Sequence, residues 1–154
     1  MAAEDNKEII RRFWKEIYNE GNLEDLEEVF ATDFKLHDLA YGKDYDLEEL
    51  RGIIYDTRSA VPGTRVAIRD PMLAEGDRVV TTFKIHIPLP GRPVAESAPA
   101  GESWEYNGMS ASHVSGGKIQ ETWLLWESRL AEIELRPIFG VQEIDIWRWP
   151  PWRS

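Results

Sequence analysis

Apolar positions recur at helical spacing in the first part of the chain and alternate after Gly63. Ile9, Ile10, Phe13, Trp14 and Ile17 lie three and four apart, with Lys7, Glu8, Arg11, Arg12 and Lys15 between them. That pattern predicts an amphipathic helix over residues 5–19, ended by Asn19-Glu20-Gly21-Asn22, whose residues tolerate a left-handed turn. A short helix over 23–30 and an alternating strand over 33–38 follow. Residues 41–46 read as a polar loop. Asp46 with Glu49 three positions on forms a capping-box pattern, opening a third helix that carries Leu47, Leu50, Ile53, Ile54 and Thr57 on one face. Beyond Pro62-Gly63, residues 64–73 and 78–87 are predicted strands joined through Ala74-Glu75-Gly76-Asp77. Residues 102–114 and 118–126 form a second hairpin across Ser115-Gly116-Gly117. Between the hairpins, 88–101 is predicted to be a Pro-rich loop, too long to be idle in a compact domain. From Ser128 the chain turns helical, with a break expected at Arg136-Pro137. A tail rich in Trp and Pro over 142–154 closes it.

Helices gathered before a long antiparallel meander imply a single α+β domain over 1–154, with its core at about 6–141. The expected architecture is a cone: a curved antiparallel sheet with three N-terminal helices on its concave face. The interior of such a cone is a natural pocket for a small molecule.

Composition narrows the function. The 154 residues include no cysteine, so disulfides and thiolate catalysis are out, and a cytoplasmic setting is expected. A formal charge of −10 argues against nucleic acid, which needs concentrated Lys and Arg. No basic start leads into an apolar run, and no apolar run reaches the roughly 18 residues of a membrane span, so neither a secretory signal nor a membrane partner is expected. Metal ligation has no supporting His or Cys cluster. Seven tryptophans point to an aromatic-lined cavity, an interface, or both.

The candidate chemistry centres on the second hairpin. His113 precedes its glycine turn and Glu127 ends its second strand, so pairing is expected to bring them into one neighbourhood, dried by tryptophan. A carboxyl and an imidazole in an apolar pocket suffice to move a proton on a small organic molecule. Counted by parity, Ile119, Glu121, Trp123, Leu125 and Glu127 share one face, and Met109 and Ala111 share the face of His113. Trp123 and Met109 are therefore candidate substrate contacts. Asn107 lies at the entry to the His113 strand. Arg51 and Tyr55, one turn apart on the third helix, are placed at the pocket mouth, and Trp14 among the lining aromatics.

The stretch Ile10-Arg11-Arg12-Phe13-Trp14-Lys15-Glu16-Ile17-Tyr18-Asn19-Glu20-Gly21-Asn22-Leu23, with Asp33-Phe34-Lys35-Leu36-His37-Asp38, Leu50-Arg51, Ala74-Glu75-Gly76-Asp77-Arg78-Val79-Val80 and Gly117-Lys118-Ile119-Gln120-Glu121-Thr122-Trp123, resembles the SnoaL-like polyketide cyclases and ester-cyclase-like proteins of the nuclear transport factor 2-like superfamily. The resemblance implies the cone fold, a homodimer, and chemistry without metal or organic cofactor. It implies that Glu127, where the characterised cyclases carry an aspartate, exchanges a proton while His113 assists. His37 and Asp38 must point to opposite faces, and the resemblance favours His37 as the inward residue and a catalytic one. The expected activity is cyclisation or isomerisation of a small apolar oxygenated substrate such as a polyketide or terpenoid. Epoxide opening, dehydration, and a non-catalytic ligand-binding or dimerisation module remain open alternatives.

Overall fold

The computed structural model describes residues 2–88 and 103–139. The first helix, α1 (Ala2–Arg12), starts earlier than its apolar pattern and widens into a π-helix over Phe13–Asn19. A 3-10 turn (Leu23–Asp25) leads into α2 (Leu26–Val29), β1 (Phe30–Asp38), the short β2 (Lys43–Tyr45) and α3 (Leu47–Ala60). Two hairpins follow: β3 (Arg65–Glu75) with β4 (Arg78–Pro88), and β5 (Ser103–Ser115) with β6 (Lys118–Trp126). A last helix, α4, covers Ser128–Phe139.

The predicted cap of α3 is built as its sequence demands. The Asp46 carboxylate accepts the Glu49 amide at 2.9 Å, and the Glu49 carboxylate accepts the Asp46 amide at 3.1 Å. Elsewhere the structure amends the pattern. The 41–46 loop contains β2, which pairs antiparallel with β1. The first hairpin turns on Gly76 and Asp77 alone, since Ala74 and Glu75 stay paired with Val79 and Arg78. The helix from Ser128 is not broken at Arg136-Pro137 but runs on to Phe139. The long loop and the terminal tail lie outside the described residues.

The six strands form one sheet in the order β2-β1-β6-β5-β4-β3. All pairings are antiparallel except β1 with β6, which run parallel, so the sheet is mixed at the place where the N-terminal strand docks on the meander. Register shifts interrupt β1/β6, β3/β4 and β5/β6, and such bulges bend and twist the strands that carry them. The inner face packs against α1, the π-helix and α3 in one apolar core that includes Ile10, Phe13, Ile17, Phe34, Ile54, Phe83 and Ile119. Aromatic rings link helix to sheet: Phe13 meets Phe30 at 4.9 Å and Trp14 meets Phe83 at 4.9 Å.

Candidate functional site

Strand parity decides what the cone encloses. Inward positions on β4 include Val79, Thr81, Phe83 and Ile85, all buried. Tyr106, Ser110, Ser112 and Val114 are buried on β5. Cross-strand register then lays out two rows. One runs Thr81, Ser110, Leu124, Asp38; the other runs Val79, Ser112, Thr122, Leu36. Beneath the helices these rows form part of the wall of a cavity of about 60 Å³. That is room for roughly four to six waters before any side chain moves. Ile10, Phe13, Trp14 and Tyr18 line it from the helix side, and Phe83, Leu124 and Trp126 from the sheet. Its polar lining is uncharged and mainly hydroxyl. Ser112 Oγ and Thr122 Oγ1 share a hydrogen bond of 2.8 Å, and Ser110 joins them in the lining. In the row with Ser110, the buried Thr81 hydroxyl has no hydrogen-bond partner among the described residues.

His113 and Glu127 do not meet. His113 pairs with Glu121, whereas Trp126, just before Glu127, pairs with Gly108 at the other end of the hairpin. Six residues at ~3.3 Å each separate the two by about 20 Å along the strand. The expected row on β6 loses only Ile119, because the β5/β6 register shifts between His113 and Val114: Ile119 is opposite Val114 but Glu121 is opposite His113, and the face that Glu121, Trp123 and Leu125 share with His113 is the outer one. The extra residue in β6 resets the alternation after Ile119, so Thr122, Leu124 and Trp126 line the cavity while Glu121 and Trp123 stand on the outer face with His113. His113 Nε2 lies 2.7 Å from the Asp77 carboxylate at the first hairpin's turn. The Glu127 carboxylate accepts hydrogen bonds from the backbone and side-chain amides of Asn107, both at 3.2 Å.

His37 and Asp38 do point to opposite faces, but with the reverse sense. His37 faces outward, its ring nitrogens 2.7 Å from Asp44 and 2.6 Å from Glu121, and it stacks on Trp123 at 5.2 Å. Burial alone would lower its pKa; the hydrogen bonds that the ring donates to the Asp44 and Glu121 carboxylates override that and raise it. Arg78 covers the Trp123 ring at 5.5 Å. Met109 is 47% exposed and Tyr55 63% exposed, so neither reaches the interior. Arg51 braces the helices instead, donating to the Leu23 carbonyl at 2.7 Å and pairing with Glu27 and Glu48. Of the residues put forward from sequence, Trp14 alone lines the cavity.

Asp38 is the inward one. It is 3% exposed, one inward position beyond the cavity-lining Leu36 and in register with the cavity-lining Leu124. Its Oδ1 accepts the Ala40 and Tyr41 amides at 2.9 and 3.3 Å, closing the turn towards β2. Burial nevertheless raises its pKa, against the pull of those amides and of Arg129. Tyr18, on the π-helix, has its pKa pushed up to about 12, again by burial. The sequence did carry a signal for the inner wall: Ser110 and Ser112 alternate between Tyr106 and Val114. The opposite parity, through Met109, Ala111 and His113, simply read as richer in chemistry.

The chain matches the SnoaL-like polyketide cyclase family over residues 8–130, most of its length. It belongs to that family. None of the curated proteins matches it. Among solved structures of related fold, a candidate polyketide cyclase from Acidithiobacillus ferrooxidans is 22% identical with a TM-score of 0.68, covering 86% of this chain and 95% of its own. Wild-type IdmH, a candidate polyketide cyclase from Streptomyces antibioticus, is 23% identical with a TM-score of 0.70, covering 84% and 97%. PrhC from Penicillium brasilianum is only 10% identical yet superposes with a TM-score of 0.74 over 96% and 98%. At these identities the likeness speaks for the cone fold. This SnoaL-like chain therefore keeps the family's architecture, while its own side chains furnish the interior.

Proposed function

We propose that this SnoaL-like protein takes a small, uncharged, oxygenated apolar molecule of polyketide or terpenoid character into the cone and rearranges it, by cyclisation or isomerisation, through acid/base chemistry. The cavity wall carries the reading. Its lining is apolar apart from uncharged donors and acceptors, chiefly the hydroxyls of Ser110, Ser112, Thr122 and Tyr18, and among the described residues it includes no Asp, Glu, Lys, Arg or His. A charged ligand would lose its hydration there with no counter-ion to replace it, whereas a ketone or alcohol finds partners for its oxygen.

For the proton-exchanging group we propose Asp38. A carboxyl works as acid and base when desolvation moves its pKa towards the working pH, and burial acts on Asp38 in that direction. A ligand reaching past Leu36 and Leu124 would come to it. The same reading extends to a homodimer: Met109 and Leu125, paired across β5 and β6, keep 47% and 44% of their surface exposed on the outer face, where a second copy would cover them.

Asp38→Asn tests the chemistry, because asparagine keeps the oxygen that accepts the Ala40 and Tyr41 amides but loses the titrating proton. Uncharged ketones and 1,3-diketones would be screened by thermal shift, and the ligands that bind would be followed to product by chromatography. Asp38→Asn should bind like the wild type and turn over at least ~100-fold more slowly. Unchanged turnover would remove Asp38 from the mechanism. The second reading, a non-catalytic ligand carrier, is favoured by one observation: Asp38 does not itself line the cavity, and one of its oxygens already serves a turn. Binding by the wild type without any product would select it.

A further inference from the structure

We infer that Tyr18 is the hydrogen-bond donor that holds the ligand's oxygen from the helix side of the cavity, and that the π-helical turn over Phe13–Asn19 exists to aim it there. The inference rests on the reading that the cavity binds an uncharged oxygenated ligand.

Helix pitch makes the case. In a regular α-helix, at ~100° per residue, Tyr18 would stand about 40° beyond Trp14 and about 140° from Phe13, at the rim of the inner face. A π turn holds ~4.4 residues, about 82° each, which swings Tyr18 to within about 50° of Phe13. The wider turn is present in the backbone: the Glu20 amide donates to the Lys15 carbonyl, five residues back, at 3.0 Å. Phe13, Trp14 and Tyr18 consequently line the cavity together, and the Tyr18 and Trp14 rings meet edge-on at 5.4 Å.

The turn is pinned from two sides, so the aim is built in. Asn19 exchanges a pair of hydrogen bonds with Val66 on β3, side-chain amide to carbonyl and backbone amide to side-chain oxygen, both at 2.8 Å. Arg58 of α3 donates to the carbonyls of Tyr18 and Asn19 at 3.0 and 2.6 Å. π turns are rare and concentrate at functional sites, and here two neighbouring elements hold one in place.

What the turn delivers is an unspent donor. Across the cavity, Ser112 and Thr122 already bond to each other. The Tyr18 phenol makes no hydrogen bond with the described residues, and with its pKa pushed up to about 12 by burial it keeps its proton throughout the neutral range. A neutral phenol on an apolar cavity wall suits a carbonyl oxygen, and suits it better as negative charge grows there during enolisation. It does not suit a carboxylate ligand, which would need a cation alongside.

Acetophenone and isopropylbenzene test this, being close in shape and differing in the oxygen. Calorimetric titration of the wild type should show both binding, acetophenone more tightly. Tyr18→Phe should lower acetophenone affinity roughly three- to tenfold, the worth of one neutral hydrogen bond, and leave isopropylbenzene unchanged. Asn19→Ala, which keeps the phenol but unpins the turn, should lose part of the same preference. If Tyr18→Phe retains the preference, or weakens both probes equally, Tyr18 is packing and the inference is wrong while the cavity reading stands. If Asn19→Ala keeps the full preference, the π turn is not the aiming device. If neither probe binds the wild type, the cavity reading falls first and takes the inference with it.

Discussion

Gly108 on β5 is where the cone wall has least to spare. A methyl group added there would lie 2.5 Å from Phe83 Cζ, closer still to Cε2, and 2.9 Å from the Trp126 Cβ. Carbon atoms rest at ~3.5–4.0 Å, so the Phe83 ring tip must retreat by about 1 Å or more. The ring is 1% exposed and packed against Trp14, and the open space next to it is the cavity it already lines. Overpacking of this kind costs about 1–3 kcal/mol, offset by the ~0.5–1 kcal/mol that alanine saves over glycine inside a strand. Gly108→Ala should therefore destabilise the protein by about 0.5–2 kcal/mol. In urea that is a midpoint lower by roughly 0.3–1 M, with the slope unchanged. Because the displaced ring enters the cavity, uncharged probes should bind more weakly as well. Phe83→Leu should relieve the clash, so the double variant should be more stable than the sum of the two single losses by about 1 kcal/mol. A Gly108→Ala protein as stable as the wild type and binding as well would refute the account of this wall. Strict additivity with Phe83→Leu would show that the two residues do not press on one another.

Two further outcomes follow from the outer face. The folded pKa of His37 is raised, because its bonds to Asp44 and Glu121 outweigh its burial. The stability it contributes is therefore whole below the unfolded value of ~6.5 and is lost as pH climbs through the folded one. The urea midpoint of the wild type should fall across that interval relative to His37→Phe, and parallel curves would show that the pair of carboxylates does not hold a charged imidazole. Glu127→Gln keeps one of the two oxygens that accept from Asn107 and should cost about 1 kcal/mol of stability, with turnover within a few-fold of the wild type. A ~100-fold loss of turnover would return the proton-exchanging role to the strand end and displace Asp38.

Several features could be read directly from the residue order, because each depends on neighbours a few positions apart. The capping box at Asp46 and Glu49, the apolar face of α3, the glycine turns of both hairpins and the helices-then-meander order are all of this kind, and they suffice for the cone. Periodicity also put Trp14 on the apolar face of the first helix. The site was another matter, because it turned on events that parity and pitch cannot register. One surplus residue in β6 moved Thr122 and Trp126 inward and carried Trp123 outward with His113. The same hairpin register set His113 and Glu127 at opposite ends. Parallel docking of β1 on β6 set Leu36 and Asp38, rather than His37, in line with the inner rows. A main-chain hydrogen bond five residues long widened the first helix at the turn that carries Tyr18. Bulges, strand partners and helix pitch are settled by main-chain bonding across the whole sheet and against packed neighbours, and it is these long-range choices that determine which side of each strand becomes the interior.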